Sequence, residues 1–153
     1  MTALGSRRVL VVSAAATLVI AATPATAGTG PATIRITDTQ TEDTLVNRGE
    51  PGAVAGELEI IRQVLYNRRV SAKAIGHAII LCTLVGGDTR MCTGNYTLPR
   101  GTLVTTGAIT SRLLYEIPIV GGTDLYDNAR GLLVVTTTSL KPRREILLFR
   151  LAG

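Results

Sequence analysis

The sequence predicts an all-β domain, an eight-stranded antiparallel β-barrel, preceded by an export leader. Three observations point there. Val, Ile, Leu and Thr dominate the chain beyond residue 32, apolar and polar residues alternate in short runs, and turn residues recur at intervals near ten, as they do between hairpin-linked strands. Consecutive strands with short turns pair antiparallel, and about 120 residues of such strands close most economically into a barrel, which leaves no edge unpaired. A two-sheet sandwich is the competing closure.

The leader comes first. Arg7 and Arg8 supply a positive start, Val9 to Ala22 an apolar stretch, and Ala25-Thr26-Ala27 a small-residue cleavage site. The apolar stretch is shorter than the roughly 20 residues a membrane-spanning helix needs. Residues 1–27 are therefore expected to be a removable signal peptide and 28–153 a single secreted domain, with no membrane association after cleavage. The paired arginines leave the general and twin-arginine export routes both open.

Along the mature chain, Ala32 to Asp38 alternates Ile34 and Ile36 with Thr33, Arg35 and Thr37, as a strand with one buried face would. The stretch TEDTLVNRGEPGAVAG that follows is rich in Gly, Pro, Asp and Asn and reads as a loop. Glu57 to Tyr66 is ambiguous, because Leu58, Ile61, Val64 and Leu65 fit a helical stripe as well as a strand. Ser71 to Val85 is a long apolar strand, Arg90 to Leu98 its return, and Pro99-Arg100-Gly101 a turn. Strands are then expected over Thr102 to Thr110, Leu113 to Val120, Asn128 to Leu140 and Arg144 to Leu151, the last two joined across Lys141-Pro142.

The chain has two cysteines, Cys82 and Cys92. In an exported protein an even count reads as a bridge. CTLVGGDTRMC is symmetric about Gly87, so a hairpin through Gly86-Gly87-Asp88 pairs Val85 with Thr89, Leu84 with Arg90, Thr83 with Met91 and Cys82 with Cys92. Two thiols and the lone His77 fall short of the usual four zinc ligands, so no metal site is expected. The formal charge is +5, with the arginines scattered rather than gathered into a stripe, which argues against a nucleic-acid partner. One histidine and no nucleophile elbow exclude a Ser-His-Asp hydrolase.

The segment IVGGTDLYDNARG, residues 119–131, raises the question of a phosphate cradle. A phosphate loop opens a helix, so that backbone N–H groups face the anion. Here Gly131 is followed by Leu-Leu-Val-Val-Thr-Thr-Thr, a strand, and no Gly-Lys-Ser/Thr is present. The same residues resemble the signature of dirigent proteins, a Gly-Gly-Thr-Gly turn, an aromatic and Ala-Arg-Gly between two barrel strands. They are also similar to the Gly-Gly-Ser-Gly and Tyr-Gly segment of allene oxide cyclases, and GELEIIRQVLYNRRVSAKAIGHAIILCTLV resembles the cyclase stretch with a Leu-Tyr and a Gly before a Leu-Cys-Val strand. The likeness runs from Thr33 to Leu151.

That resemblance implies an eight-stranded barrel, often trimeric, whose apolar cavity holds a reactive small ligand and steers its cyclisation or isomerisation without metal or cofactor. It places Asp38 at a shared site carboxylate on the first strand, Gln40 where the cyclases have Asn, Cys82 at a cavity cysteine, and Arg130 at the arginine of Ala-Arg-Gly. The chain departs from the pattern in three ways: Asp124 replaces the glycine after Gly-Gly-Thr, no Ser-Pro follows Asp38, and aromatic residues make up only 3%.

Period two puts Asp38 on the face of Ile34 and Ile36, where a carboxylate must pair or stay protonated; a solvent-facing strand end is the plainer alternative. Asp38 and Gln40 are thus the catalytic candidates, and Tyr66, Tyr115, Tyr126 and Arg130 the ligand-binding ones. Tyr96 is a further tyrosine able to line a barrel mouth. His77 reads as a core or interface residue, Asp124 and Asp127 as turn residues, and Arg130 as the partner of a nearby carboxylate, Asp127 or Asp38. The runs IIL at 79–81 and LLVV at 132–135 are apolar on both faces, so part of the outer wall is expected to be covered, by a second subunit in a homo-oligomer (a trimer or dimer) or by the chain's own loops.

Overall fold

A computed structural model describes residues 32–46, 55–68 and 73–152. The expected leader, residues 1–27, lies outside them. Eight strands follow one another: β1 (Ala32–Val46), β2 (Leu58–Tyr66), β3 (Ala74–Gly86), β4 (Thr89–Leu98), β5 (Gly101–Ile109), β6 (Leu114–Gly122), β7 (Arg130–Leu140) and β8 (Arg143–Ala152). Each pairs antiparallel with its neighbours in sequence, and β1 pairs with β8, so the sheet closes into a barrel rather than a sandwich.

Two expectations for local structure are corrected. β1 does not stop at Asp38 but continues to Val46, through the first six of the residues expected to be loop, while residues 47–54 lie outside the described ones. The register of β1 against β2 shifts between Gln40 and Glu42, and beyond that bulge Asp43 to Val46 pair with Ile61 to Leu58. A bulge bends a strand without ending it, which a composition rich in Asp and Thr does not reveal. The hairpin register holds at Cys82 with Cys92, Thr83 with Met91 and Leu84 with Arg90, but Thr89 then pairs with Gly86 in place of Val85. The ambiguous segment at 58–66 is a strand, because its partners β1 and β3 flank it on both sides.

Inward positions divide the barrel lengthwise. Ile36, Leu65, Leu98, Leu103, Leu133 and Phe149 are buried and pack one end, with the Tyr96 ring set edge-on to Phe149 at 5.2 Å between centroids. The turn after β6 closes that same end. Its single 3-10 turn, Asp124–Tyr126, buries Tyr126, and Gly122 approaches so closely that a Cβ there would stand 2.3 Å from the Tyr126 carbonyl oxygen and 2.6 Å from that of Thr102. The other end, beside the Cys82–Cys92 bridge, is polar. The β5–β6 ladder is the shortest of the eight and does not reach the polar end, running only from Leu103–Gly122 to Thr105–Ile119. Pro118, next along β6, has no N–H to continue it.

Candidate functional site

Three strands change character as they run to the polar end. On β8 the inward set Phe149, Leu147, Glu145 and Arg143 passes from apolar to charged; on β2 Leu65 gives way to Gln63, Ile61 and Glu59; on β4 Tyr96 and Cys92 give way to Arg90. The result is a cluster of buried polar groups resting on the apolar core.

At its centre Asp38, fully buried, faces Glu145 across the β1–β8 ladder. Asp38 Oδ1 accepts a hydrogen bond from the Glu145 backbone N–H at 2.9 Å, while Oδ2 meets no donor. Burial first, and then the charge of Glu145, push the Asp38 carboxyl up to about 8; the backbone N–H and the Arg143 guanidinium pull the other way and lose. Asp38 is thus a neutral acid at pH 7, and an Oδ2 that bears the proton needs an acceptor rather than a donor. Glu145 is held from two sides: Oε1 accepts from Arg143 Nε at 2.9 Å and Nη2 at 2.6 Å and from Thr137 Oγ1 at 3.2 Å, and Oε2 accepts from Gln63 Nε2 at 3.0 Å. Gln63 Oε1 is left buried without a donor.

Nearer the mouth, Glu59 takes two guanidiniums, Arg112 Nη2 at 2.6 Å and Arg90 Nη1 at 3.1 Å. Arg143 Nη2 also donates to the Arg112 carbonyl oxygen at 2.7 Å, which ties the two networks together. Between them lies a cavity. Gln40, Gln63, Arg90, Arg112, Arg143 and Glu145 line its polar side, and Ile61, Ile80, Ile109, the Tyr115 ring and the Cys82–Cys92 bridge its apolar side. The space in it open to the centre of a water molecule is about 30 Å³, room for about two waters. Burial raises the Tyr115 phenol well above its ordinary value, so it is a neutral donor on that wall.

The structure brings together Asp38, Gln40, Tyr115, Cys82 and Cys92 from the residues singled out in the sequence. It places others elsewhere. Tyr66 alternates with the inward Leu65 and Gln63 and so faces outward, and Tyr126 is buried in the packed end. His77 is exposed on the outer face of β3, not in the core. Arg130 does not pair with Asp127 or Asp38: its Nη1 donates to the backbone oxygens of Val120 and Ala129, and it holds the turn through carbonyls. Glu145, Gln63, Arg143, Glu59, Arg90 and Arg112 were not singled out. A period-two count back from the apolar Leu147, Phe149 and Leu151 puts Glu145 and Arg143 inside, and that signal was available in the sequence.

No protein-family model and no curated protein matches the chain. Solved structures do. A pyocyanin demethylase superimposes with a TM-score of 0.64 at 20% identity, over 76% of this chain and 98% of its own. The pterocarpan synthase dirigent protein GePTS1 gives 0.61 at 17% identity, over 79% of this chain and 82% of its own. The Diels-Alderase AbmU from Streptomyces koyangensis gives 0.61 at 14% identity, over 83% of this chain and 72% of its own. The chain therefore shares one barrel fold with dirigent proteins, a Diels-Alderase and a demethylase. At these identities the likeness is one of fold.

Proposed function

We propose that the protein is an exported barrel that binds a small ligand with an apolar body in this cavity and steers its cyclisation or isomerisation. The observation that carries the reading is the buried Asp38–Glu145 pair, a neutral acid beside a carboxylate, with Glu145 on the cavity wall. Asp38 can pass its proton to Glu145 and Glu145 to a ligand oxygen, and the proton released when the ring closes returns along the same path. Such a rearrangement is redox-neutral and needs no second reactant. The larger contribution comes from holding one reactive conformer, since orientation alone lowers a barrier by several kcal/mol. Fold neighbours named as a pterocarpan synthase and a Diels-Alderase support the reading at the level of the fold.

Export is supported by the leader pattern of residues 1–27, with 28–153 as the mature domain, and by the Cys82–Cys92 bridge, which suits an oxidising compartment. Leu81, Val85 and Met91, exposed on the outer wall, support a second copy docking there. One observation favours a second reading, a binding barrel without chemistry: the cavity holds only about two waters, so a ligand has to displace the side chains at the mouth.

The test is stereochemical. An unstable epoxide, and separately a phenolic coupling intermediate, is allowed to rearrange with and without the mature protein, and the product enantiomers are resolved. An excess of one enantiomer supports the steering reading; racemic product across several such substrates moves the assignment to the binding barrel.

A further inference from the structure

The mouth of the barrel is not fully satisfied by its own residues. Arg90 and Arg112 share a single carboxylate, Glu59. Arg90 Nε is buried and has no acceptor, although the side chain is only 16% exposed. Burial pulls the Arg90 guanidinium below its ordinary range, with Glu59 opposing that effect without cancelling it. Asp43 and Asp88 stand at the rim, both exposed, and among the described residues neither makes an ion pair with Arg90 or Arg112. The same two arginines form the partition between the inner cavity and an outer vestibule of about 310 Å³, which Asp88, Thr110, Ser111 and Leu113 complete.

We infer that Arg90 and Arg112 are the recognition site for the acidic group of a compact organic acid seated in this vestibule, with Glu59 holding the site in its absence. The inference rests on the ligand-binding reading above, extends the ligand's seat from the inner cavity into the vestibule, and narrows the ligand to an apolar body bearing a carboxylate. A carboxylate has the planar pair of oxygens that a guanidinium fork binds, and when the Arg90 side chain turns toward it the carboxylate supplies the acceptor that the buried Nε lacks. An uncharged ligand of the same shape, such as an alcohol, offers one neutral oxygen in place of two charged ones and is the weaker partner for the guanidinium. Size points the same way: the inner cavity excludes a long chain, whereas the vestibule accommodates a body of one or two rings, with Leu113 and Ile109 as apolar support on the two sides of the partition.

The experiment compares 1-naphthoate with 1-naphthalenemethanol, which has the same ring system without the charge, by calorimetric titration of the mature protein. The naphthoate is expected to bind about tenfold more tightly, the scale of one charge-assisted pair. In Arg112→Gln, which alters a half-exposed side chain and leaves Arg90 paired with Glu59, that preference is expected to fall to about threefold or less, with Arg112→Lys recovering part of it. Equal affinity for acid and alcohol, binding of neither, or an undiminished preference in Arg112→Gln overturns the inference. Should the variants fail to fold, the wild-type comparison decides alone. A failed comparison alongside a stereochemical bias in the rearrangement assay would sink the carboxylate site and leave the steering function standing.

Discussion

At the scale of the residue, Asp38 has the most testable property. Its folded value of about 8 stands above the 3.8 of an ordinary aspartate, so the folded chain binds a proton that the unfolded chain has released. The stabilisation from that proton is complete below about pH 4 and is lost as pH rises through about 8, with a slope of at most about 1.4 kcal/mol per pH unit for one proton. Asp38→Asn is neutral throughout and is expected to flatten this part of the profile, measured by urea unfolding at a series of pH values. Wild-type and variant profiles that run parallel between pH 4 and 8 would contradict a buried neutral acid. The inward phase of Asp38 was legible because Ile34 and Ile36 precede it in strict alternation. Its partner Glu145 obeyed the same rule in RREILLFRL, but a glutamate directly behind two arginines reads as a solvated strand end until the strand is seen to start inside the barrel. Glu59 and Gln63 were hidden for a different reason: Leu58, Ile61, Val64 and Leu65 satisfied both periods, so no inward face could be assigned there.

At the scale of the element, the turn between β6 and β7 was expected to be structural, and its geometry says how. Gly122 sits where a Cβ would collide with two backbone oxygens, and Asp124 and Asn128 take positive φ angles of 54° and 59°. Arg130 then ties the end of β6 to the start of β7 through the Val120 and Ala129 carbonyls. Arg130→Ala is expected to lower Tm by about 3 to 6 °C, for a loss of about 1 kcal/mol, and to leave ligand binding intact, since the turn closes the end of the barrel away from the cavity. An unchanged melt with abolished binding would return Arg130 to the site. The bulge near Gln40 was the element the sequence concealed. Loop-like composition at Thr41 to Val46 masked a strand whose pairing with β2 continues past the irregularity, and it is this continuation that brings Asp43 to the cavity rim beside Gln40.

At the scale of the whole molecule, the closure of the barrel was legible in the spacing of turns and in the symmetry of the Cys82–Cys92 hairpin. The chemistry inside was not. A barrel core is expected to be apolar, and nothing in composition announces that one end will be filled with paired arginines and carboxylates instead. The outer wall carries its own expectation: with Leu81 42%, Met91 48% and Val85 55% exposed, a second copy is expected to cover β3 and β4. Native mass spectrometry of the mature protein should show an oligomer, and Leu81→Asp should shift it toward monomer by burying an unpaired charge. A monomer at micromolar concentration before any substitution would refute that arrangement. Whether a proton held at Asp38 is used in the cavity is decided by the pH dependence of stereoselective rearrangement in wild-type protein and in Asp38→Asn. The expected result is a wild-type rate that holds below about pH 8 and falls as pH rises through it, with a lower and flat rate in the variant. Equal rates and equal enantiomeric excess for the two proteins across that range would contradict such a use and credit the shape of the cavity alone.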